Sequence, residues 1–163
     1  MKPPKFNVLF FSTILIYVIF HITEEALGNF PLFMNQNWGI PNIGYSRWLY
    51  HTIIFFMPVL MIGFLIYLLD ENRLYFGLGI TFWGVLNFFE HTFYTIKNSA
   101  AAPGLFSSLL FVGLAVFVLI QLKRQQLLTG KLVVKSTITA AAYWGISVGL
   151  VMVLAPYVAR IFA

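Results

Sequence analysis

The sequence contains no cysteine among its 163 residues. That absence excludes disulfide bonds, iron–sulfur clusters, thiolate zinc sites and cysteine nucleophiles. Any metal site in this chain must therefore be built from nitrogen and oxygen ligands.

Charge is also scarce. Only 9% of the residues are charged, against roughly 25% in soluble globular domains, and the mean hydropathy is +0.87. The net charge of +5 is spread over predicted helix ends, so the chain lacks the basic patch of a nucleic-acid-binding protein. This composition predicts an integral membrane protein whose main partner is the lipid bilayer.

Long apolar runs define the predicted fold. A helix needs about 20 apolar residues to cross the hydrocarbon of a bilayer, and the chain has five such runs. They predict an all-α fold, a polytopic transmembrane bundle of about five helices that forms one integral membrane domain over residues 1–163. The predicted helices cover residues 6–27, 48–69, 74–96, 105–122 and 137–158.

The basic residues predict the orientation. Lys2 and Lys5 precede the first apolar run as in a signal peptide, but no cleavage motif follows, so we expect this segment to remain as a membrane helix. Seven Lys and Arg residues share the predicted side of the N-terminus and three lie on the other side. Cytoplasmic loops are enriched in Lys and Arg, so the N-terminus is expected in the cytoplasm.

Ionisable residues inside the apolar runs are the strongest functional signal. The chain has five acidic residues and three histidines, and six of these eight fall inside predicted membrane helices. A charge at that depth costs on the order of 2.5–3.5 kcal/mol on insertion scales, so such residues usually mark function. The six are His21, Glu24, Glu25, His51, Glu90 and His91.

These six residues are predicted to converge. They lie within one to two turns of the same ends of the first three helices, so at about 1.5 Å per residue they share one level, toward the outer leaflet. His21 precedes Glu24 and Glu25 by three and four positions, which places all three near one helix face. A purely structural network of ion pairs and hydrogen bonds is the alternative interpretation.

Imidazole and carboxylate groups at this spacing suit a divalent metal ion. We predict the ligands His21, His51, His91, Glu25 and Glu90, with zinc favoured and iron or manganese also compatible. Glu24 and Glu25 are the candidate catalytic carboxylates, one of which would activate water. The residues expected to orient the ligands are Asn87, Tyr17, Tyr94 and Arg47.

The segment HITEE at residues 21–25, with His51 and the Glu90-His91 pair on later helices, resembles the HXXEE-motif family of integral membrane proteins. The resemblance covers the first three predicted helices. It implies a membrane protein with a His/Glu site and names no substrate.

These patterns favour a membrane-embedded, metal-dependent enzyme, a hydrolase acting on a lipid or another hydrophobic substrate. A di-iron oxidase, an ion- or proton-translocating protein and a structural membrane protein are the alternatives. An oligomer is compatible with each of them. The fourth and fifth predicted helices carry neither acid nor histidine and are expected to serve as scaffold.

Overall fold

The structure, a computed structural model, describes residues 6–39 and 44–161. Within these ranges the side chains of residues 51, 71, 155, 156 and 158–161 are not described. The described residues form six helices and no strand, which confirms the predicted all-α fold. The helices are α1 (Phe6–Leu27), α2 (Phe30–Trp38), α3 (Gly44–Leu69), α4 (Leu74–Asn98), α5 (Leu105–Arg124) and α6 (Gly130–Ile161).

Four described helices are long and apolar enough to cross a membrane: α1, α3, α5 and residues Gly130–Leu154 of α6. The fifth predicted span, α4, has 25 residues but is less apolar than these four. Its buried positions include glycines, Thr81, Asn87 and His91. Because α4 packs against α1, α3, α5 and α6, its buried side faces protein, and a helix in that position does not need an apolar surface all round.

The predicted loop between residues 28 and 47 contains helix α2, which the apolar pattern did not reveal. Asn29 adopts a left-handed conformation with φ of 55° and precedes Pro31 at the start of the helix. Proline is favoured in a first turn because its missing N–H would have no partner there. Helix α6 also begins seven residues before the predicted segment, at Gly130 instead of residue 137.

Two of the membrane-length helices contain a π-helical turn, at Tyr17–His21 in α1 and at Thr52–Phe56 in α3. Such wide turns are rare and often occur at functional sites. The turn in α1 ends at His21, and both Tyr17 and His21 are buried. The turn in α3 begins directly after His51.

An aromatic core lies between α1, α4 and α5. The ring of Trp83 makes an edge-on contact with Tyr17 and also contacts Phe111, with centroid distances of 5.0 and 6.1 Å. A Cβ at Gly84 would lie 2.7 Å from Cγ of Phe111, so glycine permits the close approach of α5 to α4. This packing fixes His21 and His91 on neighbouring helices.

Candidate metal centre

Three buried side chains meet where α1 and α4 pack together: His21, Glu25 and His91, which we call the His/Glu cluster. One carboxylate oxygen of Glu25, Oε1, lies 3.4 Å from Nε2 of His21 and 3.8 Å from Nε2 of His91. One ligand atom from each residue lies within 4.8 Å of the others. The two imidazole rings stand edge to face with centroids 4.9 Å apart.

The two distances from Glu25 are close to those between neighbouring ligands of a tetrahedral metal ion. With bonds of about 2.0–2.1 Å, neighbouring ligand atoms around zinc lie about 3.3–3.5 Å apart. The contacts of Glu25 match or slightly exceed this spacing. Two histidines and one carboxylate are also a donor set of catalytic zinc sites, in which a further position stays open for water or substrate.

The charge balance at Glu25 also favours a cation. Its side chain is 6% exposed, and its ion-pair contacts among the described residues are with the two histidines. A buried carboxylate is strongly destabilising without a positive partner. Either a proton on one of the three groups or a metal ion would provide that charge.

Ser107 of α5 orients His21. The Ser107 hydroxyl donates to the carbonyl oxygen of Gly104 at 3.2 Å and lies 2.9 Å from Nδ1 of His21. A hydroxyl has one proton to donate, so when that proton goes to Gly104 the hydroxyl accepts from Nδ1–H of the imidazole; we assign this tautomer. The lone pair of His21 is then on Nε2, which faces Glu25 and has no hydrogen-bond partner among the described residues. A hydrogen bond on the second ring nitrogen commonly fixes metal-binding histidines in this way.

Glu24 has a different task from its neighbour. Its two carboxylate oxygens accept hydrogen bonds from the backbone N–H groups of Phe106 and Ser107, at 3.0 and 2.6 Å. These amides lie in the first turn of α5, whose own N-cap residue, Gly104, offers no side-chain acceptor. An anion stabilises a helix N-terminus through the helix dipole and the free amides. Glu24 thus caps α5 from α1 and helps to position Ser107.

The loop between α4 and α5 covers the cluster. Gly104 has a φ of 93°, and a Cβ there would lie 2.6 Å from Cε1 of His21 and 2.8 Å from Cε1 of His91. Only glycine fits both this backbone conformation and this contact. On the same loop, Pro103 packs against Gly28, where a Cβ would come within 2.6 Å of its ring.

Glu90 lies beside the cluster and bonds a residue of α6. Its Oε2 accepts a hydrogen bond of 3.0 Å from the indole Nε1–H of Trp144. It lines the same cavity as Glu25 and His91, but it does not belong to the group whose ligand atoms come together among the described residues. Glu90 is therefore a charged group beside the cluster.

A cavity adjoins the cluster and is lined by all four tryptophans of the chain, so we call it the tryptophan cavity. The centres of water-sized molecules can occupy about 50 Å³ of it, which is room for a few waters. Its polar lining residues are Tyr17, Glu25, Thr52, Asn87, Glu90 and His91, and its tryptophans are Trp38, Trp48, Trp83 and Trp144.

The remaining predicted site residues have different positions. Asn87 is buried one turn before His91 and lines the cavity, as does Tyr17, whose ring lies 5.7 Å from that of His21. Tyr94 instead packs against Phe33 and Trp38. Arg47, a predicted orienting residue, has no contact with the cluster among the described residues. The side chain of His51, a predicted ligand, lies outside the described residues.

Ser107 and Gly104 were not predicted as site residues. The available signal was weak: Ser107 and Ser108 form a polar pair at the start of an otherwise apolar helix, directly after a Pro-Gly turn. Serine is common in membrane helices, where it can bond its own backbone. Helix α5 therefore contributes an orienting group and is more than scaffold.

No family model matches the chain, and no curated protein or solved structure matches it significantly. The resemblance to the HXXEE-motif family stays a prediction from the residues quoted above.

Proposed function

We propose that the protein is a membrane-embedded, metal-dependent hydrolase that acts on a lipid or another hydrophobic substrate. The observation that carries the proposal is the His/Glu cluster, whose three ligand atoms lie within 4.8 Å of one another, with Nε2 of His21 lacking a hydrogen-bond partner among the described residues. A zinc ion in such a site polarises a carbonyl and lowers the pKa of water to about 7.

The chain's own residues divide the remaining work. His21, Glu25 and His91 hold the ion. Ser107 keeps His21 in the tautomer that can bind it. Glu90 is the carboxylate that borders the cavity without belonging to the cluster. We assign Glu90, in place of Glu24, as the group that takes a proton from water and returns it to the leaving alcohol, because Glu24 is held by two backbone amides.

The surroundings of the cluster suit a hydrophobic substrate. The tryptophan cavity is mainly aromatic and aliphatic, and four helices of the chain are long and apolar enough to cross a membrane. Hydrolysis of an ester consumes one water and forms one acid and one alcohol. Because only the ester group reacts, the cavity needs to admit only that end of a long chain together with water.

The cluster favours hydrolysis over di-iron chemistry. Di-iron carboxylate centres in helical bundles use a glutamate from each of several helices. Here Glu25 is the one carboxylate among the described residues within the cluster, whereas Glu24 caps α5 and Glu90 bonds Trp144. A single-ion site is the simpler fit.

The test uses purified protein in detergent with added Zn²⁺ and 4-nitrophenyl esters from acetate to palmitate. We expect hydrolysis that increases with acyl length, stops on treatment with a chelator and returns with zinc. His91→Ala should lose both bound zinc and activity, whereas Glu90→Gln should keep zinc and lose at least about 100-fold in rate, as expected for removal of a general base.

Asp70→Asn is the matched control for Glu90→Gln, because Asp70 is a carboxylate outside the cavity that binds Arg73. It should retain full activity. Activity that persists without metal, or that survives in Glu90→Gln, would contradict the proposal.

A further inference from the structure

Three polar atoms without partners lie along one face of α4. They belong to Trp83, Asn87 and His91, which are spaced four residues apart and all line the tryptophan cavity. Nε1 of Trp83, Oδ1 of Asn87 and Nδ1 of His91 are buried and have no hydrogen-bond partner among the described residues. Residues at this spacing follow one another along a single helix face. The residues that carry these three atoms therefore form one stripe of the cavity wall.

Such atoms require partners. A buried donor or acceptor without a hydrogen bond is strongly unfavourable, and native proteins leave few of them. The indole N–H of Trp83 can only donate, whereas the amide oxygen of Asn87 can only accept. A hydroxyl group does both, so one alcohol can accept from Trp83 and donate to Asn87.

The charges of the cavity select a neutral head group. Glu25 and Glu90 line it, and its described lining residues include neither lysine nor arginine. With a divalent ion bound at Glu25, the two positive charges of the ion balance the two carboxylates. A charged head group of either sign would then lack a counter-charge.

The cavity shares part of its lining with a neighbouring depression. A second depression, the outer groove, lies between α2, α4 and α6 and offers about 500 Å³ to water-sized molecules. The residues lining both the cavity and the outer groove are Trp38, Glu90, Trp144, Val148 and Met152. Glu90 and its partner Trp144 therefore lie on the boundary between the two spaces.

We infer that the tryptophan cavity binds a neutral long-chain lipid with a hydroxyl-bearing head, which enters sideways from the bilayer through the outer groove. The hydroxyl bonds Trp83 and Asn87 beside the His/Glu cluster, and the acyl or alkyl chain lies along the apolar groove. This inference rests on the proposed function for the ligand's role as substrate, but binding itself is measurable without turnover.

Tryptophan fluorescence provides the measurement, because all four tryptophans line the cavity and bromine quenches indole emission on contact. The probes are 9,10-dibromo-octadecan-1-ol and its methyl ether, titrated into detergent-solubilised, metal-free protein and again into zinc-loaded protein. The matched ether keeps the chain and loses the hydroxyl donor. Dibromostearate and dibromo-octadecylamine test the charged alternatives.

We expect the alcohol to bind about tenfold more tightly than the ether, the effect of one net hydrogen bond. Asn87→Leu should reduce the preference to within about twofold. Thr81→Val, a buried change on α4 that lies outside the cavity lining and contacts Thr13, should preserve it. The comparison of alcohol with ether in the unmodified protein stands even where a variant fails to fold.

Equal binding of alcohol and ether, or tightest binding of the carboxylate or the amine, would overturn the inference. Zinc binding with no alcohol preference would sink this inference and leave the proposed function standing. An alcohol preference in a protein that binds no zinc would sink the proposed function and retain the cavity's ligand class.

Discussion

Replacing Ser107 by alanine tests whether α5 sets the protonation of the metal ligand on α1. The Ser107 hydroxyl lies 2.9 Å from Nδ1 of His21 and is the acceptor for Nδ1–H in the assigned tautomer. Without it, the imidazole can carry its proton on Nε2, which faces Oε1 of Glu25 at 3.4 Å. A proton at that position occupies the lone pair that a metal ion needs.

The expected magnitude follows from the general cost of removing a group that orients a metal ligand, about 10–100-fold in affinity. This corresponds to about 1.4–2.7 kcal/mol of binding free energy. The backbone N–H of Ser107, which donates to Glu24, is unchanged by the substitution, so the cap of α5 should survive and the protein should fold.

Ser108→Ala is the matched control. Ser108 is the next residue, is also buried, and its hydroxyl donates to the carbonyl oxygen of Leu105 within α5. Zinc affinity is measured by competition with a chromophoric chelator in detergent. We expect Ser108→Ala to bind like the unmodified protein and Ser107→Thr, which restores a hydroxyl, to recover most of the loss. Equal zinc affinities in Ser107→Ala and Ser108→Ala would refute the assignment of the tautomer.

Two further substitutions test the supports of the cluster. Glu24→Gln replaces a charged cap by a neutral one and should lower the free energy of unfolding by about 1–2 kcal/mol, seen as a lower thermal midpoint; an unchanged midpoint would contradict the capping role. Gly104→Ala places a Cβ against both imidazoles at a φ of 93°. The backbone strain alone should lower the free energy of unfolding by about 1–3 kcal/mol, and the zinc affinity should also fall. Gly113→Ala in α5 has no neighbouring atom within 4 Å and should leave both properties intact, so equal behaviour of the two glycine variants would argue against the close fit of the loop.

Much of the fold could be predicted from the sequence because an apolar run of membrane length is a clear signal of a helix. Helix α4 was predicted as a helix from Leu74, where the structure begins it. It is less apolar than the other long helices because it carries Asn87, Glu90 and His91. The start of α6 was predicted too late because the apolar run begins only after Lys131 and Lys135, although charged side chains are compatible with a helix that extends beyond the apolar layer.

The sequence predicted which residues meet at the site better than it predicted what each of them does. The common level of His21, Glu25 and His91 follows from helix lengths, and the structure brings these three together. The roles of the neighbouring carboxylates do not follow. Glu24 and Glu25 differ by one position, yet one bonds the amides of α5 and the other lies between two imidazoles. That difference depends on the position of the loop before α5, which no periodicity encodes.

The central claim is that the His/Glu cluster binds one metal ion, and the adjacent glutamates offer the most direct test. Metal content is measured by mass spectrometry on protein equilibrated with Zn²⁺ and freed of excess, for the unmodified chain, Glu25→Gln and Glu24→Gln. The two variants undergo the same chemical change one residue apart. We predict one zinc per chain in the unmodified protein and in Glu24→Gln, and loss of zinc in Glu25→Gln. Zinc retained in Glu25→Gln, or absent from the folded unmodified protein, would contradict the account.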